Sequence, residues 1–184
     1  MNEQLVLTVI ARDRPGIIRS LSETIASHSG NWVDSSMARL GGEFAGILMI
    51  SVPAASVAAL ETALAGLGKD GIDVAVRRAS APPAAPAPKG RRIYIELTGA
   101  DHAGIISEIS AEIARLGASV EELTTRVFPG SMSGTQMFEA HLDLVIPDGL
   151  DPEEVREKLE DIADDLMVEI EVELPTDKKV VAKR

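Results

Sequence analysis

The sequence contains no cysteine, which excludes disulfide bonds, thiolate metal sites and cysteine nucleophiles. Only 3% of its 184 residues are aromatic, so a hydrophobic core has to be built from aliphatic side chains. No apolar run approaches the roughly 20 residues that a membrane-spanning helix requires. The first residues carry neither the basic segment nor the apolar stretch of a signal peptide. We therefore expect a cytoplasmic protein with no membrane partner.

The net charge of -11 is concentrated in the second half of the chain. Residues 1–90 contain 8 Lys and Arg against 8 Asp and Glu, whereas residues 91–184 contain 10 against 21. Direct nucleic-acid binding needs a basic surface that displaces counterions from phosphate. We therefore predict no direct contact with nucleic acid. Any effect on transcription would pass through a protein partner, such as a transcription factor.

Strand-like and helix-like segments follow one another in residues 1–79 in the order βαββαβ. The pattern predicts strands at 5–12, 33–40, 43–52 and 72–78, with helices near 17–28 and 57–67. The pair Gly41-Gly42 predicts a tight hairpin between the second and third strands. Residues 80–90 are rich in proline and alanine and lack large apolar side chains, which favours an extended linker.

The same order returns in residues 91–175, ahead of a charged tail at 176–184. The predicted strands lie at 92–98, 119–128, 135–146 and 168–174, and the predicted helices at 105–116 and from Asp151 onward. The sequence therefore predicts an α+β protein of two tandem ferredoxin-like units. Each unit is expected to be a four-stranded antiparallel sheet with two helices on one face.

The offset between the two copies supports a duplication. The motif that begins at Asp13 lies 88 residues before the one that begins at Asp101. Gly30 lies 87 residues before Gly117, which predicts a first helix one residue shorter in the second copy. On that alignment Asn31 corresponds to Ala118. So steady an offset through strand, turn and helix is typical of an internal repeat.

The turn after the first strand of each unit is the main candidate for ligand binding. A glycine at a helix N-terminus lets backbone N–H groups approach an anion such as an amino-acid carboxylate, and the helix dipole favours one there. The candidate residues are Asp13, Arg14, Pro15, Gly16 and Ile17 in the first unit, and Asp101, His102, Ala103, Gly104 and Ile105 in the second. The alternative is that these residues only shape and cap the helix, with the aspartate as N-cap.

Three further features leave alternatives open. Asn31 offers an amide to a ligand's amino or carboxylate group, or it merely occupies a turn. The acids of the last helix, between residues 153 and 165, form a solvated face or a docking surface for a basic partner. The histidines lack metal-ligand spacing, and catalytic and cofactor motifs are missing, so we predict no metal, no cofactor and no enzyme. A small enzyme or ligand carrier on the ferredoxin-like fold is the alternative.

The βαββαβ order also occurs in RNA recognition motifs, which stack bases on strand aromatics. Here Tyr94 is the only tyrosine, the phenylalanines are scattered and the charge is acidic, so an RNA-binding role is not expected.

An apolar strand, the motif Asp-Arg-Pro-Gly-Ile-Ile at 13–18, a helix and then Gly30-Asn31 together resemble the ACT domain, a regulatory amino-acid-binding module. Two such units with little else resemble the glycine cleavage system transcriptional repressor family, over roughly residues 3–78 and 91–174. In ACT proteins the segment at Gly30-Asn31 faces the ligand site across an interface between units. The second copy departs from the motif, because Ala103 replaces the proline.

The resemblance implies a regulatory protein that binds an amino acid, with glycine as one candidate, and signals to a protein partner. It also implies a homodimer formed through sheet or helix faces. Because the second copy is both divergent and acidic, we hypothesise a division of labour. The turn of the first unit would recognise the ligand, and the acidic surface of the second would meet the partner.

Overall fold

The chain divides into two compact units, residues 1–84 and 85–184. The computed structural model describes residues 1–79, 90–130 and 134–173. The predicted tail and, apart from Gly90, the predicted linker lie outside these described residues, as do positions 131–133 of the loop before the seventh strand. No helix in the described ranges is long and apolar enough to cross a membrane.

The first unit has the predicted βαββαβ order. Its elements are β1 (Asn2–Arg12), α1 (Ile17–Ser27), β2 (Asn31–Leu40), β3 (Glu43–Pro53), α2 (Val57–Gly66) and β4 (Ile72–Arg78). Short 3-10 turns at Ala54–Ser56 and Leu67–Asp70 flank α2. The sheet order is β2-β3-β1-β4, and each pair of neighbours is antiparallel.

The second unit repeats this topology. Its elements are β5 (Gly90–Ala100), α3 (Ile105–Arg115), β6 (Ser119–Pro129), β7 (Gln136–Pro147), α4 (Pro152–Leu166) and β8 (Val168–Glu173). The sheet order is β6-β7-β5-β8, again with antiparallel neighbours. The predicted fold of two four-stranded antiparallel sheets, each with two helices, is therefore confirmed.

Each sheet buries one face and leaves the other open, because successive side chains of a strand point to opposite faces. In β1 the odd-numbered residues Leu5, Leu7 and Val9 have no exposed surface. They form one apolar cluster with side chains of α1 and of α2. Both helices therefore cover the same face of the sheet. The even-numbered side chains of β1 lie on the opposite, open face.

The prediction that the first helix is one residue shorter in the second copy is wrong. Both α1 and α3 contain 11 residues. The left-handed residue after each helix is Ser29 in the first unit (φ 59°) and Gly117 in the second (φ 70°), which are 88 positions apart. The sequence alignment had matched Gly117 to Gly30, because glycine is the usual residue at a left-handed helix end.

The β-bulge in the following strand supports the corrected alignment. It falls between Trp32 and Asp34 in β2, and between Val120 and Glu122 in β6, again 88 positions apart. The counterpart of Asn31 is therefore Ser119 and not Ala118.

We predict opposite effects for alanine at two glycines of the first unit. In Gly46→Ala the new Cβ would lie 2.3 Å from the carbonyl oxygen of Ser36 and 2.6 Å from the Cα of Met37, so strands β2 and β3 have to shift apart. We expect a loss of about 1–3 kcal/mol in the free energy of unfolding, which is typical of overpacking.

The matched control is Gly66→Ala, because its Cβ would meet nothing within 4 Å and Gly66 already has helical φ and ψ. We expect this variant to gain about 0.4–1 kcal/mol through reduced entropy of the unfolded chain. Urea denaturation followed by the fluorescence of Trp32, the only tryptophan, measures the first unit in both cases. Equal stability of the two variants would contradict the β2–β3 packing.

Candidate ligand-binding turns

Both candidate turns begin their helix at a left-handed glycine. Gly16 is the N-cap of α1 with φ 99°, and Gly104 is the N-cap of α3 with φ 108°. Neither helix has a side-chain cap. The alternative in which Asp13 or Asp101 acts as the N-cap is therefore wrong. The aspartates lie three residues before the glycines and have different contacts.

The start of α4 shows what a capped helix looks like in the same chain. There the carboxylate of Asp151 accepts a hydrogen bond from the N–H of Glu153 at 3.0 Å, and two glutamates lie in the first turn. By contrast, the first turn of α1 has no acidic residue, whereas that of α3 contains Glu108. The first N–H groups of a helix have no partner within the helix and attract anions. The N-terminus of α1 is thus the better of the two for an incoming carboxylate.

The second residue of each turn makes a long-range hydrogen bond. The guanidinium of Arg14 donates to the carbonyl oxygen of Asp70 at 2.8 Å, and Nε2 of His102 lies 3.0 Å from the carbonyl oxygen of Leu166. Both acceptors immediately precede a left-handed residue that leads into the last strand of the unit, Gly71 or Met167. In each unit, Arg14 or His102 therefore links the turn to the segment that leads into the edge strand, β4 or β8.

The contacts of His102 favour its protonated form. Its Nε2 faces the carbonyl oxygen of Leu166, and its Nδ1 lies 3.2 Å from the carbonyl oxygen of Ala103. Because only the imidazolium can donate from both nitrogens, these two carbonyls raise the pKa of His102, with Leu166 making the larger contribution.

Asp13 and Asp101 make equivalent backbone hydrogen bonds, each within its own unit, but their side chains have different neighbours. The N–H of Asp13 donates to Gly42 at 2.9 Å, and that of Asp101 donates to Gln136 at 2.8 Å. The carboxylate of Asp13 also pairs with Arg39 of β2 at 3.2 Å. The position equivalent to Arg39, 88 residues on, is Val127. The first turn therefore has an ion pair to β2, which the second turn lacks because valine replaces the arginine.

The isoleucines of the two motifs belong to the hydrophobic cores. As whole residues, Ile17 and Ile105 are only 3% and 2% exposed. Their side chains are therefore not available to a polar ligand, although their backbone N–H groups lie at the helix start. Pro15 and Ala103 are exposed on the turn.

Asn31 does not join the turn within the first unit. It opens β2 and pairs with Ser51, whose other neighbour across the sheet is Gln4, near the start of β1. The turn follows Arg12, at the other end of β1. At about 3.3 Å per residue, the two features are separated by roughly 26 Å of strand.

Several residues that shape the turns were not predicted from sequence. Asp70 and Leu166 act through backbone carbonyls, which carry no side-chain signal. Arg39 comes close to Asp13 only because β2 runs back beside β3.

Comparison with known proteins finds a family match for the first unit. Residues 3–76 match the family model of the ACT domain. The first unit therefore matches the ACT domain family, and the second unit repeats the topology of the first. The chain is also homologous to the glycine cleavage system transcriptional repressor of Escherichia coli strain K12, with 28% identity over 126 residues. This match covers 68% of the chain and 65% of the length of that relative.

Solved structures extend the fold comparison to both units. An unknown protein from Galdieria sulphuraria is 30% identical, with a TM-score of 0.79 over 96% of this chain and 100% of its own. A candidate glycine cleavage system transcriptional repressor is 20% identical, with a TM-score of 0.70 over 96% of this chain and 99% of its own. The second of these supports the fold alone.

We predict that His102 makes the stability of the second unit depend on pH. Because its folded-state pKa lies above the usual 6.5, the protonated side chain stabilises the fold. That contribution is complete below about pH 6.5 and is lost as the pH rises through the folded-state pKa. NMR titration should place the pKa of His102 above 6.5.

His102→Arg is the matched control, because it installs the residue that stands at the equivalent position of the first unit. This variant should keep the contact and lose the pH dependence, whereas His102→Ala should lose both. A titration midpoint for His102 at or below 6.5 would contradict the contact with Leu166.

Proposed function

We propose that the chain is a cytoplasmic regulatory protein that binds a small amino acid at the turn Asp13–Ile17. Binding is transmitted to a protein partner rather than directly to DNA. The observation that carries this proposal is the start of α1, which has a left-handed glycine, no side-chain cap and no acid in its first turn.

The chemistry of this helix start suits an amino-acid carboxylate. Its backbone N–H groups and the helix dipole provide the attraction, and the missing Cβ of Gly16 leaves room for close approach. The ion pair between Asp13 and Arg39 and the bond from Arg14 to Asp70 hold the turn in place before a ligand arrives. A preformed site loses less entropy on binding.

The second unit supports a role in contacting a partner. Its acidic residues lie on the exposed side of α4 and also on the open face of its sheet, where Glu171 of β8 lies opposite Glu96 of β5. Such a surface repels nucleic-acid phosphate and favours a basic protein surface. Because the chain is similar to the glycine cleavage system transcriptional repressor, we propose that it acts in transcriptional control of glycine cleavage. Glycine is therefore the first ligand to test.

A thermal-shift screen of the full chain against the twenty amino acids tests the binding step. A ligand present at 100 times its dissociation constant should stabilise the unit that binds it by about 2.7 kcal/mol. We expect a rise in the unfolding temperature with glycine or another small amino acid. No rise with any amino acid at millimolar concentration would contradict the proposal.

Gly16→Ala and Gly149→Ala locate the binding site. Gly149 has φ 100°, close to the 99° of Gly16, and a Cβ at either position would meet nothing within 4 Å. Alanine should therefore impose a similar backbone strain at both sites. We expect only Gly16→Ala to reduce the ligand-induced shift. An equal shift in both variants would move the site away from the turn.

A further inference from the structure

We propose that the acidic open face of the second unit's sheet binds the chain's own basic segment, residues 178–184. Both the face and the segment belong to the second unit, so the contact needs no particular arrangement of the two units. A basic partner then has to displace this segment before it can reach the face. Only this consequence rests on the proposed function, since the contact itself needs neither a ligand nor a partner.

The open face of the second sheet is acidic on three of its strands. One row across it consists of Glu122 on β6, Asp143 on β7, Tyr94 on β5 and Glu173 on β8. In the next row, Glu96 of β5 lies between His141 and Glu171. Carboxylates that lie this close together repel one another, so the face attracts positive charge.

The basic side chains of this face already have carboxylate partners. The guanidinium of Arg126 donates two hydrogen bonds to the carboxylate of Glu139, at 2.8 and 2.6 Å. Nε2 of His141 lies 2.8 Å from the same carboxylate. Arg92 pairs with Glu121 at 2.6 Å. These groups therefore leave much of the negative charge of the face without a counterion from the sheet.

The remaining carboxylates surround a depression. Among the ion pairs of the described residues, none includes Asp143, Glu171 or Glu173. These three acids border a depression of about 240 Å³ together with Tyr94, which is 43% exposed, and Glu96. A cation above an aromatic ring and between carboxylates is attracted by both. The depression therefore fits the side chain of a lysine or an arginine.

Residues 178–184 supply such side chains at high density. This segment holds three lysines, one arginine and no acid, so it contains four of the ten Lys and Arg of residues 91–184. Its three other residues are Val180, Val181 and Ala182, which are small enough to lie against the exposed ring of Tyr94. The segment thus complements the face in charge.

The length of the intervening chain permits the contact. Strand β8 ends at Glu173, on the border of the depression, and residues 174–177 connect it to Lys178. At about 3.3 Å per residue, Lys178 can lie up to roughly 16 Å from Glu173. Asp143, two strands away, lies only about 10 Å from Glu173. So short a connection gives the segment an effective concentration on the order of 1 mM at the face.

The first unit has neither the acidic face nor the basic segment. The equivalent row of its sheet consists of Asp34, Met49, Val6 and Arg77. An arginine thus occupies the place of Glu173, and the centre of the row is apolar. Residues 79–89, which follow β4, contain a single basic residue, Lys89. The two features therefore occur together in one unit and are both missing from the other.

Paramagnetic relaxation in the full chain tests the contact. Because the chain has no cysteine, Ala182→Cys carries a single nitroxide label. We expect the label to broaden the amide signals of Asp143 and its neighbours on β7 more strongly than those of α3, which covers the other face of the sheet. The broadening should weaken in 1 M salt, where charges are screened beyond about 3 Å.

Charge reversal shows whether the acids hold the segment. Glu171→Lys combined with Glu173→Lys should remove the broadening on β7. The matched control is Glu154→Lys combined with Glu157→Lys, which reverses two exposed charges on α4 and should retain it. Adding Lys178→Glu and Lys179→Glu to the first double variant should restore part of the broadening. Circular dichroism checks that each variant is folded.

A labelled synthetic peptide of residues 176–184 tests the displacement. Its affinity is compared between the wild type and a variant in which the four basic residues of the segment are glutamines. The wild-type segment competes with the peptide at an effective concentration on the order of 1 mM, so the peptide should bind the variant about tenfold more tightly. Equal affinity for the two proteins would show that the face is not occupied, and would overturn the inference.

Three results of the relaxation experiment would also overturn it. They are a wild type without broadening on β7 at low salt, broadening that survives Glu171→Lys with Glu173→Lys, and broadening that passes from labelled to unlabelled copies in a mixed sample. The last would identify the segment of a second copy as the occupant. None of these results affects the thermal-shift screen, so the proposed function and this inference fail separately.

Discussion

The burial of alternate side chains of the central strands under two helices is the constraint on which each unit depends. In β1 this requirement determines Leu5, Leu7 and Val9, which have no exposed surface. The residues between them face away from the helices, so they do not have to be apolar. The open faces of the two sheets have diverged accordingly. The first is apolar at its centre, and the second carries rows of acids such as Glu96 beside Glu171.

Comparing the two turns distinguishes the features that the fold requires from those that could serve ligand binding. A left-handed glycine at the helix start and a bond to the chain entering the last strand occur in both units, so they belong to the fold. The ion pair of Asp13 with Arg39 and the absence of an acid in the first turn belong to the first unit alone. These differences, rather than the shared motif, carry the proposal that ligand recognition centres on the first unit.

The alignment of the copies illustrates where sequence reasoning failed. Glycine is a strong signal for a left-handed helix end. For that reason the sequence alignment matched Gly117 to Gly30 instead of Ser29. A serine can adopt the same conformation when the surrounding chain holds it there. The register of β2 and its bulge, which are tertiary features, then identified Ser119 as the true counterpart of Asn31.

The sequence by itself determined the duplication, the order of strands and helices and the glycines at the helix starts, because these depend on local periodicity and backbone conformation. It also determined that the acidic excess lies in the second half of the chain. Only the tertiary structure decided which residues meet across strands. Arg14 contacts the carbonyl oxygen of Asp70, and Arg39 pairs with Asp13, because a sheet brings together residues that are distant along the chain. No local pattern encodes such register.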